Sequence, residues 1–278
     1  MGNSILSNRI SSSALVDANR AETAKAKSAK MLSTGKKINE SGQDATGLAV
    51  VAKQRYDQAA MVEGLNNSTK GEAYARTVDG GLATVSELLN RLVSLGTSAA
   101  ADSYDSEDRA IAGVEWDSIL AALDKIAAST RFGRQSLLNG SATAAKFQVG
   151  ESPNGTDDIA AIDLTNVNVL NSNLGIPAGS TLDTVDNART TTDAVRTAVG
   201  MVNNYRATVG AFQREIQLAA ANNETKLENL GVAIGVTIDA DIAKVSIDYT
   251  REVTMQQMAR SILAQGNASM DELTQLIR

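Results

Sequence analysis

The stretch IGVTIDADIAKVSIDYTREVTMQQMARSILAQGNASMDELTQLIR, residues 234–278, decides how this chain folds. Apolar residues recur every three or four positions: Ile234, Ile238, Ile242, Val245, Tyr249, Val253, then Ile262. No proline interrupts them, and Gly266 is the only glycine after Gly235. The spacing predicts one long helix carrying a narrow apolar stripe. So narrow a stripe suits a helix-to-helix seam better than the flank of a globular core. Alone in water such a helix is marginal, because the packing of a face supplies most helical stability. It needs a partner, and the matching segment at the other end of the chain is the obvious one.

Ser12 or Ser13 can cap that N-terminal helix, which runs to about Leu32 with Leu15, Ala18, Ala21, Ala29 and Leu32 on one face. Gly35 is its stop, and Lys36 and Lys37 suit a helix C-terminus. Asp44 caps a second helix reaching about Leu95, roughly 75 Å long at 1.5 Å per residue. Its stripe is Val78, Leu82, Val85, Leu89, Leu92 and Leu95. Gly64, Gly71, Gly80 and Gly81 each weaken this helix by about 1 kcal/mol relative to Ala. Their presence points to close helix approach. A third helix is expected over 107–128, burying Ile111, Val114, Ile119, Leu120, Leu123 and Ile126.

The character changes at residue 132. Up to 179 the chain holds Asn139-Gly140, Asn154-Gly155, both prolines, and the alternating run IDLTNVNVL. These are turn and strand signals. Helix returns from 184 to about 230, with Val195, Val199, Val202, Val209, Phe212, Ile216 and Leu227 on its face. The expected fold is mainly α: a long antiparallel helical bundle or coiled coil formed by the paired N- and C-terminal regions, with a small β-hairpin region in the middle. The expected domains are 1–43 with 235–278 as a terminal coiled-coil core, 44–131 with 180–234 as a helical rod, and 132–179 as a small solvent-facing region.

Composition narrows the function. Hydrophobic residues make up 43% but aromatics only 3%, so slender helices pack closely rather than enclose a thick core. With no cysteine there is neither a disulfide framework nor a thiol nucleophile. With no histidine the commonest general base and metal ligand are missing. The net charge of −6, with no basic cluster among stacking aromatics, speaks against nucleic acid. No apolar run is long enough to span a membrane. The start, MGNSILSNRISSS, lacks the basic and apolar regions of a secretory signal, so a secreted form would use another route.

The motifs that suggest chemistry have plainer readings. Ser33-Thr34-Gly35-Lys36 lacks the first glycine of a phosphate loop and the hydroxyl after its lysine, so it reads as a helix stop. The acidic run at 102–108 lacks the central glycine of a calcium loop. Asp239 and Asp241 do not share a helix face and read as exposed charges. Gly231 and Gly235 suggest a close helix contact. No nucleophile–base pair is visible, so the chain is expected not to be an enzyme and to need no cofactor or metal.

At KMLSTGKKINESGQDATGLAV, residues 30–50, the sequence resembles bacterial flagellin. Leu32, Ser33, Gly35, Ile38, Asn39, Asp44, Ala45, Gly47 and Leu48 match that family's pattern, with Gln43 where an acid is usual. Ala75, Thr77, Gly80, Leu82, Leu89, Arg91, Leu95, Arg109, Glu115, Leu120 and Phe132 fit later blocks. Near the C-terminus Asp239, Asp241, Ser261, Leu263, Ala264, Gln265, Asn267, Leu273, Leu276 and Arg278 fit as well.

The resemblance implies a structural subunit that self-assembles into the extracellular flagellar filament used for swimming. The family's terminal helices line a central channel as nested coiled coils. Implied partners are further copies of the chain, the flagellar export apparatus and its chaperone, and the hook-associated and cap proteins. Nucleic acid and membrane are not among them. The alternative is a hook–filament junction protein, which shares related termini. The residues expected to pack subunit on subunit are Leu15, Leu32, Ile38, Leu48, Leu89, Arg91, Leu92, Leu95, Ile238, Ile242, Val245, Val253, Ile262, Leu263, Leu273 and Leu276.

Overall fold

The structure, a computed structural model, describes residues 9–152, 158–177 and 179–276. In chain order the elements are α1 (Arg9–Thr34), α2 (Ala45–Ala99), α3 (Ser106–Ser129), β1 (Arg131–Phe132), β2 (Gln135–Ser136), β3 (Ala145–Gln148), β4 (Ile159–Ile162), α4 (Val185–Ile238) and α5 (Ile242–Leu276). The protein is mainly α, with two small hairpins in its middle.

Local chemistry sets the helix ends. Gly35 adopts φ +70, a left-handed conformation open to glycine, and its N–H reaches back to the Met31 carbonyl at 2.8 Å. Asp44 starts α2 by accepting from the Gly47 N–H at 2.8 Å. Asp105 starts α3 by accepting from Glu107 and Asp108 N–H groups, whose own carboxylates favour the helix N-terminus.

The expected single helix over 234–278 is broken. α4 ends at Ile238 and α5 begins at Ile242. The turn after α1 takes over the backbone bonds there. Lys37 N–H donates to the Ile238 carbonyl at 2.8 Å, and Ala240 N–H donates to the Gly35 carbonyl at 2.9 Å. Asp241, read from sequence as an exposed charge only, caps the new helix by accepting from the Lys244 N–H at 3.1 Å.

The chain divides into two compact units, Met1–Tyr56 with Asn229–Arg278, and Asp57–Glu228. The second holds the large core. Val78, Leu82, Val85, Leu89 and Leu92 of α2 meet Val195, Val202, Val209 and Ile216 of α4 there, all buried. The middle of the chain joins the same core through Leu137, Leu138, Ile162, Leu164 and Leu174.

The face of α3 departs from expectation. Ile119 and Leu123 are buried with Leu120 and Ile126 packed beside them, but Ile111 and Val114 are exposed. The buried face instead starts at Trp116, whose indole N–H donates to Ser180 Oγ at 3.3 Å.

β1 pairs antiparallel with β2, and β3 with β4, where Phe147 stands opposite Ala160. The alternating run 162–170 contributes only Ile162 to a strand. Asp163 turns the chain by accepting from the Thr165 N–H and hydroxyl. Those bonds, the hydroxyl's foremost, hold the Asp163 carboxyl below its ordinary range. Asn154-Gly155 lies outside the described residues.

Tyr74 packs edge-on to Phe132 and Phe147 at centroid distances of 5.3 and 5.6 Å, and burial pushes its phenol up. Close approach explains Gly71 and Gly96: a Cβ at the first would run into Ile216 and Phe147, at the second into Thr192. Gly80 and Gly231, by contrast, face nothing within 4 Å, so the Gly231/Gly235 pair marks no close helix contact among the described residues.

Candidate assembly interface

Within the terminal unit, α1 and α5 pack antiparallel. Ser11 Oγ donates to Asn267 Oδ1 at 3.4 Å, Lys25 Nζ to Gln256 Oε1 at 3.3 Å, and Ala240 N–H to the Gly35 carbonyl, so α5 numbering falls as α1 numbering rises. Among the buried and half-buried positions of α1, Ala14, Ala18, Ala21, Lys25, Ser28 and Leu32 follow one another in steps alternating between four and three, with Ser11, Ala24 and Met31 half-buried beside them. On α5, Val245, Tyr249, Glu252, Gln256, Ala259, Leu263 and Gly266 follow the same alternation, with Asp248 and Val253 half-buried beside them. That is the heptad spacing of a coiled-coil seam.

What fills the seam is unusual. Most positions hold Ala, Ser, Gly or a polar side chain. Glu252 buries Oε2 without a hydrogen-bond partner. The larger apolar side chains stand outside. Leu15 is 53% exposed, Ile242 49%, Ile247 70% and Ile262 47%, while Val16, Val232 and Val236 are exposed as well. A seam of small and polar groups gains little from burial, whereas each outward Leu or Ile keeps unrealised a share of the roughly 1.5–3 kcal/mol that full burial supplies.

The sixteen residues expected to pack subunits fall into distinct settings. Leu15, Ile242 and Ile262 are exposed. Leu32, Leu48, Val245, Val253 and Leu263 are half-buried in the terminal unit. Ile38 and Ile238 are already buried, in a small cluster with Val51 against which Ile234 packs. Leu89, Leu92 and Leu95 line the core of the other unit and offer no surface to a neighbour in this conformation. Sequence periodicity could not separate them from the terminal stripe, because a core face and an assembly face share one spacing. The side chains of Leu273 and Leu276 lie outside the described residues, as does Arg278.

Arg91 is exposed and forks onto Glu115 of α3, Nε to Oε1 at 2.7 Å and Nη2 to Oε2 at 2.9 Å. This two-point pair fixes the orientation of both side chains. The residues missed from sequence are Val16, Ile247, Met255 and Met258 on the outer faces. For the two methionines the signal available was a second apolar row on α5, Met255, Met258 and Ile262, each one position before a seam residue.

The turn between α1 and α2 is tied by Lys30 Nζ to Glu40 Oε1 at 2.6 Å. That hydrogen bond, with the lysine's charge, holds the Glu40 carboxyl below its ordinary range. Among the described residues there is no cluster of acids able to hold a metal ion and no helix long and apolar enough to cross a membrane.

Comparison with known proteins gives the same direction. Residues 5–143 match the family model for the bacterial flagellin N-terminal helical region, and residues 192–277 that for the bacterial flagellin C-terminal helical region. The chain is 28% identical over 252 residues to a flagellin of Halalkalibacterium halodurans, covering 91% of each chain. It is 29% identical over 257 residues to a flagellin of Listeria monocytogenes, covering 88% of this chain and 89% of that one. With flagellin FlaB1 of Treponema pallidum the identity is 27% over 258 residues, covering 89% and 90%. The crystal structure of Bacillus cereus flagellin aligns at 22% identity and a TM-score of 0.49, over 57% of this chain and 88% of that chain. The chain belongs to the bacterial flagellin family, whose members are structural subunits of the extracellular flagellar filament.

Proposed function

We propose that this chain polymerises into the flagellar filament through the outer faces of its terminal helix pair. The observation that carries the reading is the inversion across α1 and α5: small and polar groups inside the seam, large apolar groups outside. Repeated head to tail, contacts on such faces build an open helical polymer. Leu15, Ile242 and Ile262 supply the principal packing, supported by the half-buried Leu32, Leu48, Val245, Val253 and Leu263. Residues 1–43 with 235–278 are assigned to the inner layer of the filament, 44–131 with 180–234 to the surrounding rod, and 132–179 to its outer side.

The chain performs no catalysis and holds no cofactor in this reading. Its proposed partners beyond its own copies are the export apparatus, an export chaperone, and the hook-associated and cap proteins. Family membership supports them, as does a terminal seam weak enough to open during export. Negative-stain microscopy of purified protein seeded with short filament fragments tests the reading. Long filaments are expected; seeded protein that stays a single compact molecule contradicts it.

A further inference from the structure

The described methionines divide sharply by setting. Met61 is 4% exposed inside the chain, and Met31 and Met201 are half-buried. Met255 and Met258 stand open at 48% and 53%. At i and i+3 on α5 they share a side with Ile262, four residues further on, and together they form one apolar patch turned away from the α1 seam. Two neighbouring donors are engaged within α5 itself: the Thr254 hydroxyl donates to the Thr250 carbonyl at 2.9 Å, and Arg251 pairs with Asp248 at 3.1 Å.

We propose that Met255 and Met258 are an oxidation-sensitive pair through which hydrogen peroxide removes free subunits from assembly. This rests on the filament reading above, in which the patch is covered by a neighbouring copy. A thioether sulfur lone pair attacks one peroxide oxygen and the O–O bond breaks. An S–O bond forms, and the departing hydroxide takes up the proton of the transferred oxygen and leaves as water. Sulfur is oxidised by two electrons and the peroxide is reduced by two. The product is a polar sulfoxide in place of a flexible apolar side chain, which disrupts a methionine-bearing interface. Covering the sulfoxide oxygen would strip a strong acceptor of its water, a cost the apolar methionine does not carry. The step is reversible by a sulfoxide reductase drawing on a thiol reductant, so oxidised subunits are recoverable. Subunits already in a filament are shielded, which makes the switch specific to the unassembled pool.

The test treats free protein with hydrogen peroxide, maps sulfoxides by mass spectrometry, and measures the residual free concentration after seeded growth. Wild type oxidised at both positions is expected to need a free concentration higher by about tenfold or more, since an acceptor stripped of its water weakens each added contact. The double variant M255L/M258L, given the same peroxide, is expected to grow as untreated protein does. Filaments treated intact are expected to show little sulfoxide at either position. Unchanged growth of wild type carrying both sulfoxides would overturn the proposal. So would equal loss of growth in the double variant, which would place the damage at Met31, Met201 or elsewhere. Untreated wild type that fails to grow on seeds refutes the filament reading itself, and this proposal with it.

Discussion

Lys25 on α1 and Gln256 on α5 meet inside the heptad seam of the terminal unit, Nζ to Oε1 at 3.3 Å. A coiled coil that places a polar pair in its seam trades stability for a defined register. Replacing both with leucine is expected to stabilise the α1–α5 pair by roughly 1–3 kcal/mol. Gln256→Ala alone is expected to weaken it by about 1 kcal/mol, because the Lys25 ammonium loses its acceptor. Hydrogen exchange along α5 measures both. Protection that falls in the double leucine variant would show that the polar pair stabilises the seam outright.

Core and assembly residues separate by experiment. Leu92→Ala is expected to cost about 2–5 kcal/mol, since Leu92 is wholly buried among α2 and α4 neighbours. Melting followed by the fluorescence of Trp116, the single tryptophan, reads this directly. Leu15→Ser is expected to leave that melt within about 0.5 kcal/mol, as an exposed substitution does, and to slow seeded growth several-fold. A variant that melts early yet grows normally would reverse the assignment.

Two glycines of α2 are expected to respond with opposite sign. Gly80→Ala adds a methyl where nothing lies within 4 Å, so it gains up to about 1 kcal/mol of helix propensity. Gly96→Ala drives the same methyl into Thr192 and is expected to cost about 1–3 kcal/mol. Thermal unfolding decides both, and equal shifts would deny the close approach at Gly96.

The exposed Glu40 carboxyl titrates below its ordinary range because of Lys30. A folded-state value below the unfolded one means the pair contributes above the ordinary glutamate value, about 4.3, and the contribution disappears as pH falls through the lowered value. Exposure of both side chains to solvent keeps the contribution small. An NMR titration of Glu40 is expected to show its midpoint return to the ordinary range in K30A. An unchanged midpoint would rule out Lys30 as the cause.

Local signals in the sequence carried much of the fold. The Gly35 stop, the Asp44 cap and the stripe from Val78 to Leu95 depend on a few neighbouring residues, and each stands as read. The break at 239–241 does not, because its backbone partners are Gly35 and Lys37, some two hundred positions away in sequence. The face of α3 was misplaced at Ile111 and Val114 because two apolar rows compete on one helix, and only packing selects the row through Trp116. The same ambiguity hid the seam. Apolar spacing on α5 marked Ile242 and Ile262, yet burial chose Gln256 and Ala259, since the small residues of α1 leave room for little else.

The most direct measurement compares seeded growth of the intact protein with that of a variant lacking both terminal segments, α1 and α5. Circular dichroism and Trp116 emission show beforehand that the trimmed chain is folded. Intact protein is expected to extend seeds into long filaments while the folded, trimmed chain adds nothing to them. A trimmed chain that extends seeds at the intact rate would contradict assembly through the outer faces of the terminal helix pair.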